Sequence, residues 1–162
     1  MHMVHLEEIS SKNIEEILNL SVDESQKDFI ACNRFSLEEL DRARKANGHG
    51  FAFGVYDDER PVGFVMIGFD IDDAWENPPD IAKGNYSLWR LMIDQKEQRK
   101  GYGSAALRLA MDFILTFPCA KAKYCWTSYD PDNITAKHLY LSYGFEETKD
   151  MDQDEVIAVY KL

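Results

Sequence analysis

Apolar residues recur along the chain at spacings that predict alternating strands and helices. Apolar and polar positions alternate over residues 4–9, which is typical of a strand. Residues 11–21 carry apolar positions at helical spacing, with Ser11 or Asn13 as the N-cap. The capping-box pattern of Ser36 and Glu39 predicts a second helix that begins there and runs to about Ala46.

The rest of the pattern predicts further strands and longer helices. The predicted strands cover residues 51–56, 61–69, 85–94, 121–129, 145–149 and 155–162. One helix follows Gly103 and is stopped by Pro118, and another covers residues 134–143 and ends at Gly144. The order β-α-α-β-β-β-α-β-α-β-β predicts an α/β fold built on a mixed sheet.

Composition and charge restrict the class of protein. The 162 residues, 45% of them hydrophobic, predict one domain over residues 1–162. No apolar run approaches the ~20 residues of a transmembrane helix, and the N-terminal residues lack the regions of a secretory signal. We therefore expect a cytoplasmic protein without a membrane partner. The cysteines, Cys32, Cys119 and Cys125, lack metal-ligand spacing, which favours reduced thiols and no metal site.

The formal net charge of −11 disfavours nucleic acid as a partner, because an acidic protein repels phosphates. The same charge attracts a cationic substrate, but acidic surfaces also serve solubility, so the charge alone favours such a substrate only slightly.

A glycine-containing turn between a strand and a helix carries the strongest chemical signal. The apolar stretch ending at Asp94 is followed by Gln98-Arg-Lys-Gly101-Tyr-Gly103 and then by the helix. Glycines let the backbone approach a phosphate closely, and the amides of residues 98–104 at the helix N-terminus can bind it. The pattern predicts a phosphorylated cofactor at this turn, with Arg99 and Lys100 adding charge-assisted bonds.

The same glycines also fit the dinucleotide fingerprint G-x-G-x-x-A through Ala106. Two features disfavour a nicotinamide enzyme. The polar residues 95–100 separate the strand from the first glycine, and residues 121–123 hold lysines where the fingerprint requires an acidic ribose ligand.

The strand, the turn and the helix resemble motif A of the GNAT acetyltransferase superfamily, Q/R-x-x-G-x-G/A. Asn133, Ala136, Leu139-Tyr140 and Gly144-Phe145 resemble its motif B, in matching order and spacing. A closer similarity is to bacterial diamine and polyamine acetyltransferases of the spermine/spermidine type. The residues that carry it are Gln26–Ala31, Asn33, Ser36-Leu37, Gly63–Met66, Arg90–Asp94 and Asn133.

The resemblance implies a single-domain GNAT fold, with a mixed, mostly antiparallel sheet flanked by about four helices. It implies acetyl-CoA as cofactor and transfer of the acetyl group to a primary amine of a small cation, by direct attack in a ternary complex. Such domains often form homodimers, but the sequence itself shows no interface. It also implies a set of cofactor-binding residues: Met92, Ile93, Gln98, Arg99, Lys100, Gly101, Tyr102, Gly103, Ser104 and Asn133.

Two of these positions have a more specific expected role. The resemblance implies that the amides of Met92 and Ile93 face the cofactor, where one of them can polarise the thioester carbonyl. Asn133 is expected to contact the pantetheine arm of the cofactor, and independently to cap the helix that follows it.

Tyr140 is the candidate catalytic residue. A thiolate leaves when an amine attacks a thioester, and a tyrosine of pKa about 10 is protonated at neutral pH and can supply the proton. The resemblance places Tyr140 near the thioester sulfur. The alternative is a core aromatic on an amphipathic helix, a role for which Tyr143 is the better candidate.

The amine side is less defined. An amine of pKa ~10 arrives protonated, so a base must take a proton before attack. The polar loop over residues 70–84 offers Asp70, Asp72, Asp73 and Glu76 for this purpose and for binding a distal ammonium group. A second candidate wall is formed by Asp23, Glu24 and Gln26, near the first helix, and a third candidate is Glu155. A solvated surface loop is the alternative interpretation.

Two other functions remain open at this point. The same fold can acetylate a different amine, such as a peptide N-terminus, an aminoglycoside or an amino acid. The chain can also be a sensor that binds coenzyme A without catalysis.

Overall fold

The structure is a computed structural model that describes residues 3–162, so Met1 and His2, at the start of the stretch compared with a secretory signal, lie outside it. The described residues form seven strands: β1 (Val4–Glu8), β2 (His49–Asp57), β3 (Arg60–Phe69), β4 (Tyr86–Ile93), β5 (Tyr124–Tyr129), β6 (Glu146–Asp152) and β7 (Glu155–Lys161). They also form four α-helices: α1 (Ile14–Leu18), α2 (Asn33–Lys45), α3 (Tyr102–Ile114) and α4 (Ile134–Tyr143).

The strands form one mixed sheet in the order β1-β2-β3-β4-β5-β7-β6. Neighbouring strands run antiparallel except β4 and β5, which run parallel. Within residues 3–162 the β4–β5 ladder consists of Tyr86 opposite Cys125 and Ser87 opposite Trp126. Both strands continue beyond this point, so they diverge and leave a wedge in the sheet. The predicted α/β fold with a mostly antiparallel sheet and about four helices is confirmed.

A β-bulge lies on β4 where the wedge begins. Arg90 pairs with Met66 and Leu88 pairs with Ile67, which leaves Trp89 as the extra residue. The bulge breaks the usual alternation of side chains, and both Trp89 and Arg90 reach toward α2: Trp89 packs on the cluster that contains Leu40, and Arg90 bonds to Glu39.

Apolar side chains cover both faces of the sheet. On one face, α3 packs through Leu107 and Met111 on strand residues such as Val55 and Ile67, and α4 joins the same cluster through Tyr140. On the other face, the cluster formed with α1 and α2 includes Ile17, Leu40, Phe64 and Met66. Each such buried side chain contributes about 1.5–3 kcal/mol, so the two layers hold the sheet, and with it the wedge, in place.

The predicted capping box at Ser36 is wrong. Helix α2 begins at Asn33, and Ser36 lies inside it, buried to 1% exposure and without a hydrogen-bond partner among the described residues. The Asn33 side chain donates to the carbonyl of Ile17 at 2.8 Å, which ties the start of α2 to α1. This tertiary contact decides where the helix begins, in place of the local capping pattern.

The first helix is also shorter than predicted. It covers Ile14–Leu18, and its N-cap residue Asn13 makes no capping bond. The Asn13 side chain instead accepts from the Ser10 amide at 2.8 Å and donates to the Glu8 carbonyl at 2.9 Å. The polar groups of Asn13 therefore order the turn that follows β1, and Ser11 lies outside the helix.

The other elements agree with prediction within a few residues. The strand predicted from residue 121 begins at Tyr124, and the strand predicted to end at residue 149 continues to Asp152. Gly144 follows α4 with a φ of 129°, as its predicted position requires. No helix within residues 3–162 has both the length and the apolar composition needed to span a membrane.

Candidate active site

A cleft of about 790 Å³ opens where β4 and β5 diverge. Its walls come from α2, the loop after β3, the outer part of β4, the end of β5, the start of α4 and the β6–β7 turn. A cleft of this size at a break in a sheet is a common place for a small-molecule site. Residues 3–162 hold no group of three or more His, Cys, Asp or Glu arranged to bind a metal ion.

The turn predicted to bind a phosphate lies between β4 and α3. Arg99 and Gly101 adopt left-handed conformations, with φ of 65° and 87°, and α3 begins at the next residue. A Cβ added at Gly101 would meet no atom within 4 Å, and one added at Gly103 would meet its nearest neighbour at 3.9 Å. Gly101 therefore faces open space, whereas a Cβ at Gly103 would touch Leu139 and Ile93 at ordinary contact distance. The first amides of α3, which lack partners within the helix, follow directly after this turn.

The side chains of this turn bind mostly to the protein itself. Gln98 donates to Gln26 at 2.8 Å and to the carbonyl of Ile93 at 2.9 Å. Lys100 bonds to Glu97 at 3.3 Å, and the buried Tyr102 hydroxyl bonds to the Asp57 carboxylate. Arg99 and Ser104 are exposed. Apart from the exposed Arg99, the side chains of residues 98–102 are therefore occupied within the protein, and the main chain of the turn is what remains for a ligand.

Tyr140 is buried beside the cleft. It is 6% exposed, its ring stacks on Tyr129 at 5.9 Å, and Phe145 meets it edge-on at 5.4 Å. Burial raises the pKa of Tyr140 to about 12, against a smaller opposing effect of a hydrogen bond with Thr127. The hydroxyl is therefore protonated at neutral pH and can act as a proton donor.

Asn133 lines the same cleft and performs the predicted capping role. Its side chain accepts from the amide of Ala136 at 3.2 Å, at the start of α4. Tyr143, one turn after Tyr140, is half-buried and packs against Tyr160 and Phe145. Tyr140 is the more buried of the two and belongs to the core cluster, so the expectation that Tyr143 is the better core residue is wrong.

The residues predicted to bind the amine fall into two groups. Asp70, Asp72 and Glu155 line the cleft, and Glu155 accepts from the Ser128 hydroxyl at 2.9 Å. The rest do not belong to the described lining of the cleft. They are engaged elsewhere or exposed: Asp73 bonds to Asn47, Asp23 to Ser25, Glu24 to Lys27, Gln26 to Gln98, and Glu76 is exposed.

Several residues that line the cleft were not predicted from the sequence. The β6–β7 turn adds Asp152 and Asp154 beside Glu155, and burial raises the pKa of Asp152. The only feature of the sequence that could have indicated Asp152 and Asp154 is the run of acidic residues over 150–155. The wall of aromatic residues is formed by Trp75, Trp89 and Trp126, with the rings of Trp75 and Trp126 stacked at 6.4 Å.

An ion pair spans the cleft between α2 and β4. Arg90 Nη2 lies 2.6 Å from Glu39 Oε1, and both side chains are about one quarter exposed. Including Glu39, the described lining holds six carboxylates, with Arg42 and Arg90 as its arginines. The cleft is therefore acidic and attracts a cation.

A comparison with protein families gives one match that covers most of the chain. Residues 14–145 match the Acetyltransferase (GNAT) family. The chain belongs to this family. GNAT enzymes are acyl-CoA-dependent N-acetyltransferases, and acetyl-CoA is the cosubstrate of the family. No curated protein sequence matches the chain.

Solved GNAT structures share the fold over nearly the whole chain. The aminoglycoside acetyltransferase AAC(6')-Ib in complex with coenzyme A has a TM-score of 0.75 at 15% identity, covering 98% of this chain and 95% of that chain. The spermidine N-acetyltransferase from Vibrio cholerae, in complex with CoA and spermine, has a TM-score of 0.67 at 17% identity, with the same coverage. The PaiA N-acetyltransferase from Thermoplasma acidophilum, in complex with coenzyme A, has a TM-score of 0.65 at 17% identity, covering 99% of both chains.

The residues of this GNAT chain fit acetyl-CoA. The left-handed turn at Gly101 has open space beside it, which is compatible with a diphosphate. Beyond Ser87, the side of β4 that faces β5 is released from the ladder, which leaves main-chain groups available to an extended ligand. Tyr140 and Asn133 line the adjoining cleft, close to the wedge between the two strands.

Proposed function

We propose that this enzyme transfers the acetyl group of acetyl-CoA to a primary amine of a small polycation, a diamine or polyamine. The amine attacks directly within a ternary complex. The observation that supports this most is the acidic, aromatic-lined cleft that meets the wedge beside Tyr140. A cationic acceptor is drawn to that cleft, and the neutral hydroxyl of Tyr140 provides a proton donor next to it.

In this proposal the cofactor lies along the wedge. The amides of residues 98–104 bind its diphosphate, with Arg99 and Lys100 nearby, and Asn133 contacts the pantetheine arm. The main chain of Met92 and Ile93 faces the thioester. When bound, acetyl-CoA supplies an activated acetyl group. The open space beside Gly101 and the divergence of β4 from β5 support this placement.

The protein moves protons at two places. A carboxylate of the cleft, acting directly or through water, takes the proton that makes the amine nucleophilic. Asp152 is one candidate, because it lines the cleft beside Glu155 and burial raises its pKa. Tyr140 gives its proton to the departing thiolate. Asp70, Asp72 and Glu155 bind the remaining ammonium groups of the acceptor.

A substrate panel tests the proposal. The protein is incubated with acetyl-CoA and spermidine, an aminoglycoside, an amino acid or a peptide, and the released thiol is measured. Spermidine should give the highest kcat/KM. The aminoglycoside is the second candidate, because it is also a polycation and because AAC(6')-Ib has a TM-score of 0.75. Thiol release from no amine, despite binding of acetyl-CoA, would favour a non-catalytic sensor instead.

Gly103→Val tests the coenzyme site. The added Cβ meets no atom closer than 3.9 Å, so the fold should persist while the side chain blocks approach of the diphosphate. The dissociation constant for acetyl-CoA should rise at least about tenfold by calorimetry, with Gly103→Ala intermediate. Wild-type affinity of Gly103→Val for acetyl-CoA would show that the diphosphate binds at another surface.

The wider setting belongs to the same proposal. We expect the enzyme to act in the cytoplasm as a homodimer. The cysteines among residues 3–162, Cys32, Cys119 and Cys125, are free thiols, which suits a reducing compartment. Light scattering of the purified protein tests the dimer, since a monomeric mass at micromolar concentration would exclude it.

A further inference from the structure

A hydrogen-bonded network joins the β2–β3 hairpin to the turn before α3. The Tyr102 hydroxyl, at the first residue of α3, donates to the buried carboxylate of Asp57 at the end of β2. Arg60, at the start of β3, donates from Nη2 to the Tyr102 hydroxyl at 3.1 Å and lies 3.4 Å from Asp57 Oδ2.

The other arm of the same guanidinium holds the turn itself. Arg60 Nη1 bonds to Glu97 Oε1, and the second oxygen of Glu97 lies 3.3 Å from Lys100 Nζ. Arg60 holds the pKa of the Glu97 carboxyl below its ordinary value, so Glu97 is ionised at neutral pH. Arg60 therefore contacts the residues on both sides of the turn, Glu97 before it and Tyr102 after it.

The turn needs such support because its conformation is unusual. Arg99 has a φ of 65°, a conformation that is uncommon for residues other than glycine, and Gly101 follows with a φ of 87°. A diphosphate gains most from amides that already point at it, since ordering a loop on binding costs affinity. Fixing Glu97 and Tyr102 holds the residues between them in the conformation that presents those amides.

We propose that Arg60 is a positioning residue for acetyl-CoA: its guanidinium clamps both sides of the coenzyme turn from the neighbouring hairpin. The inference rests on the proposed role of residues 98–104 in binding the diphosphate. Arg60 itself acts through Glu97 and Tyr102. Its loss should therefore weaken coenzyme binding and leave the amine site unchanged.

Arg60→Met removes the clamp and keeps most of the apolar stem. We expect the dissociation constant and the KM for acetyl-CoA to rise about tenfold, while the KM for the amine and kcat at saturating acetyl-CoA stay within about twofold. Arg108→Met is the matched control, because Arg108 is an exposed arginine on α3 and its loss changes the net charge equally. The control should bind acetyl-CoA like the wild type.

Arg60→Lys separates clamping from charge. Lysine keeps the positive charge but lacks the two-armed group that reaches Glu97 and Tyr102 together. We expect Arg60→Lys to lose most of the affinity that Arg60→Met loses. Full wild-type affinity in Arg60→Lys would show that charge alone matters and would overturn the clamp.

Tyr102→Phe supplies a milder variant that keeps the ring in the core. Its loss of acetyl-CoA affinity should be smaller than that of Arg60→Met, and the double variant should lose less than the product of the two single effects. Wild-type acetyl-CoA affinity in Arg60→Met and Tyr102→Phe would overturn the inference. If Gly103→Val binds acetyl-CoA more weakly in that case, the proposed coenzyme site is supported and only the role of Arg60 is refuted. Normal affinity in Gly103→Val would refute the proposed coenzyme site.

Discussion

At the scale of single residues, the surroundings of Tyr140 determine what its hydroxyl can do. The ring is fixed by stacking on Tyr129 and by an edge contact with Phe145, and burial raises its pKa to about 12. A hydroxyl with this pKa stays protonated well beyond neutral pH. It therefore carries a proton at neutral pH and is not ionised to act as a base, although the raised pKa makes it a weaker acid than an ordinary tyrosine.

Tyr140→Phe removes that proton donor and keeps the stacked ring. We expect kcat to fall by roughly 10²- to 10⁴-fold with little change in the dissociation constant for acetyl-CoA. Because the raised pKa of about 12 keeps the hydroxyl protonated, the wild-type rate should not decline from ionisation of Tyr140 up to pH ~10. Tyr143→Phe is the control and should keep wild-type turnover. An unchanged rate in Tyr140→Phe would remove this residue from the mechanism.

The sequence indicated Tyr140 and Asn133 because both belong to a motif with fixed spacing inside one helix. It could not indicate the Glu39–Arg90 pair, whose members are 51 residues apart and meet only through the fold. The β-bulge at Trp89 adds a second obstacle, because it turns consecutive residues toward α2 where simple alternation places them on opposite faces.

At the scale of elements, contacts between helices outweigh local patterns. The Ser36–Glu39 pattern fits a helix start, yet α2 begins three residues earlier because Asn33 bonds to α1. Glu39 then turns to Arg90 instead of the helix backbone. The strands and the long helices were predicted because their periodic apolar positions lie on faces that become buried, so their local pattern and the fold agree.

Ser36→Ala distinguishes the two interpretations of α2. A capping serine would lose about 0.5–2 kcal/mol of stability on replacement by alanine. Since Ser36 lies inside the helix with a buried hydroxyl that lacks a partner among residues 3–162, we expect no loss and a gain of up to about 1 kcal/mol.

Urea denaturation at neutral pH measures the change in the free energy of unfolding. Asn33→Ala serves as the comparison, because it deletes the bond to the Ile17 carbonyl and should cost about 1–3 kcal/mol. A loss above about 1 kcal/mol in Ser36→Ala would restore its capping role.

At the scale of the whole molecule, charge and shape act together. The net charge of −11 belongs to the whole chain, but acidic residues are gathered in the cleft. Its described lining contains six carboxylates and two arginines, Arg42 and Arg90. The net charge alone favoured a cationic ligand only slightly, because acidic surfaces also serve solubility. It could not indicate which acidic residues gather, because β6, β7 and the loop after β3 meet only in the folded sheet.

Salt dependence tests this concentration of charge. Raising the ionic strength from about 0.05 M to 0.5 M screens surface charges. The KM for spermidine should rise several-fold, and the KM for a monoamine of similar length should rise less, because fewer of its charges meet the cleft. The KM for acetyl-CoA, measured in parallel, reports any general effect of salt. Equal responses of both amines would contradict charge-based selection in this cleft.

The divergence of β4 from β5 has a consequence for local opening of the sheet. The two halves of the sheet are joined through the short parallel ladder at Tyr86 and Ser87, within the described chain. Amide protons on the outer part of β4 that point into the wedge have no β5 partner to shield them, so they should exchange with deuterium faster than those bonded to β3. Binding of the coenzyme in the wedge should slow the exchange of these amides and leave the exchange of the β3-bonded amides unchanged. The pattern of deuterium uptake along β4 then reports whether the wedge is occupied.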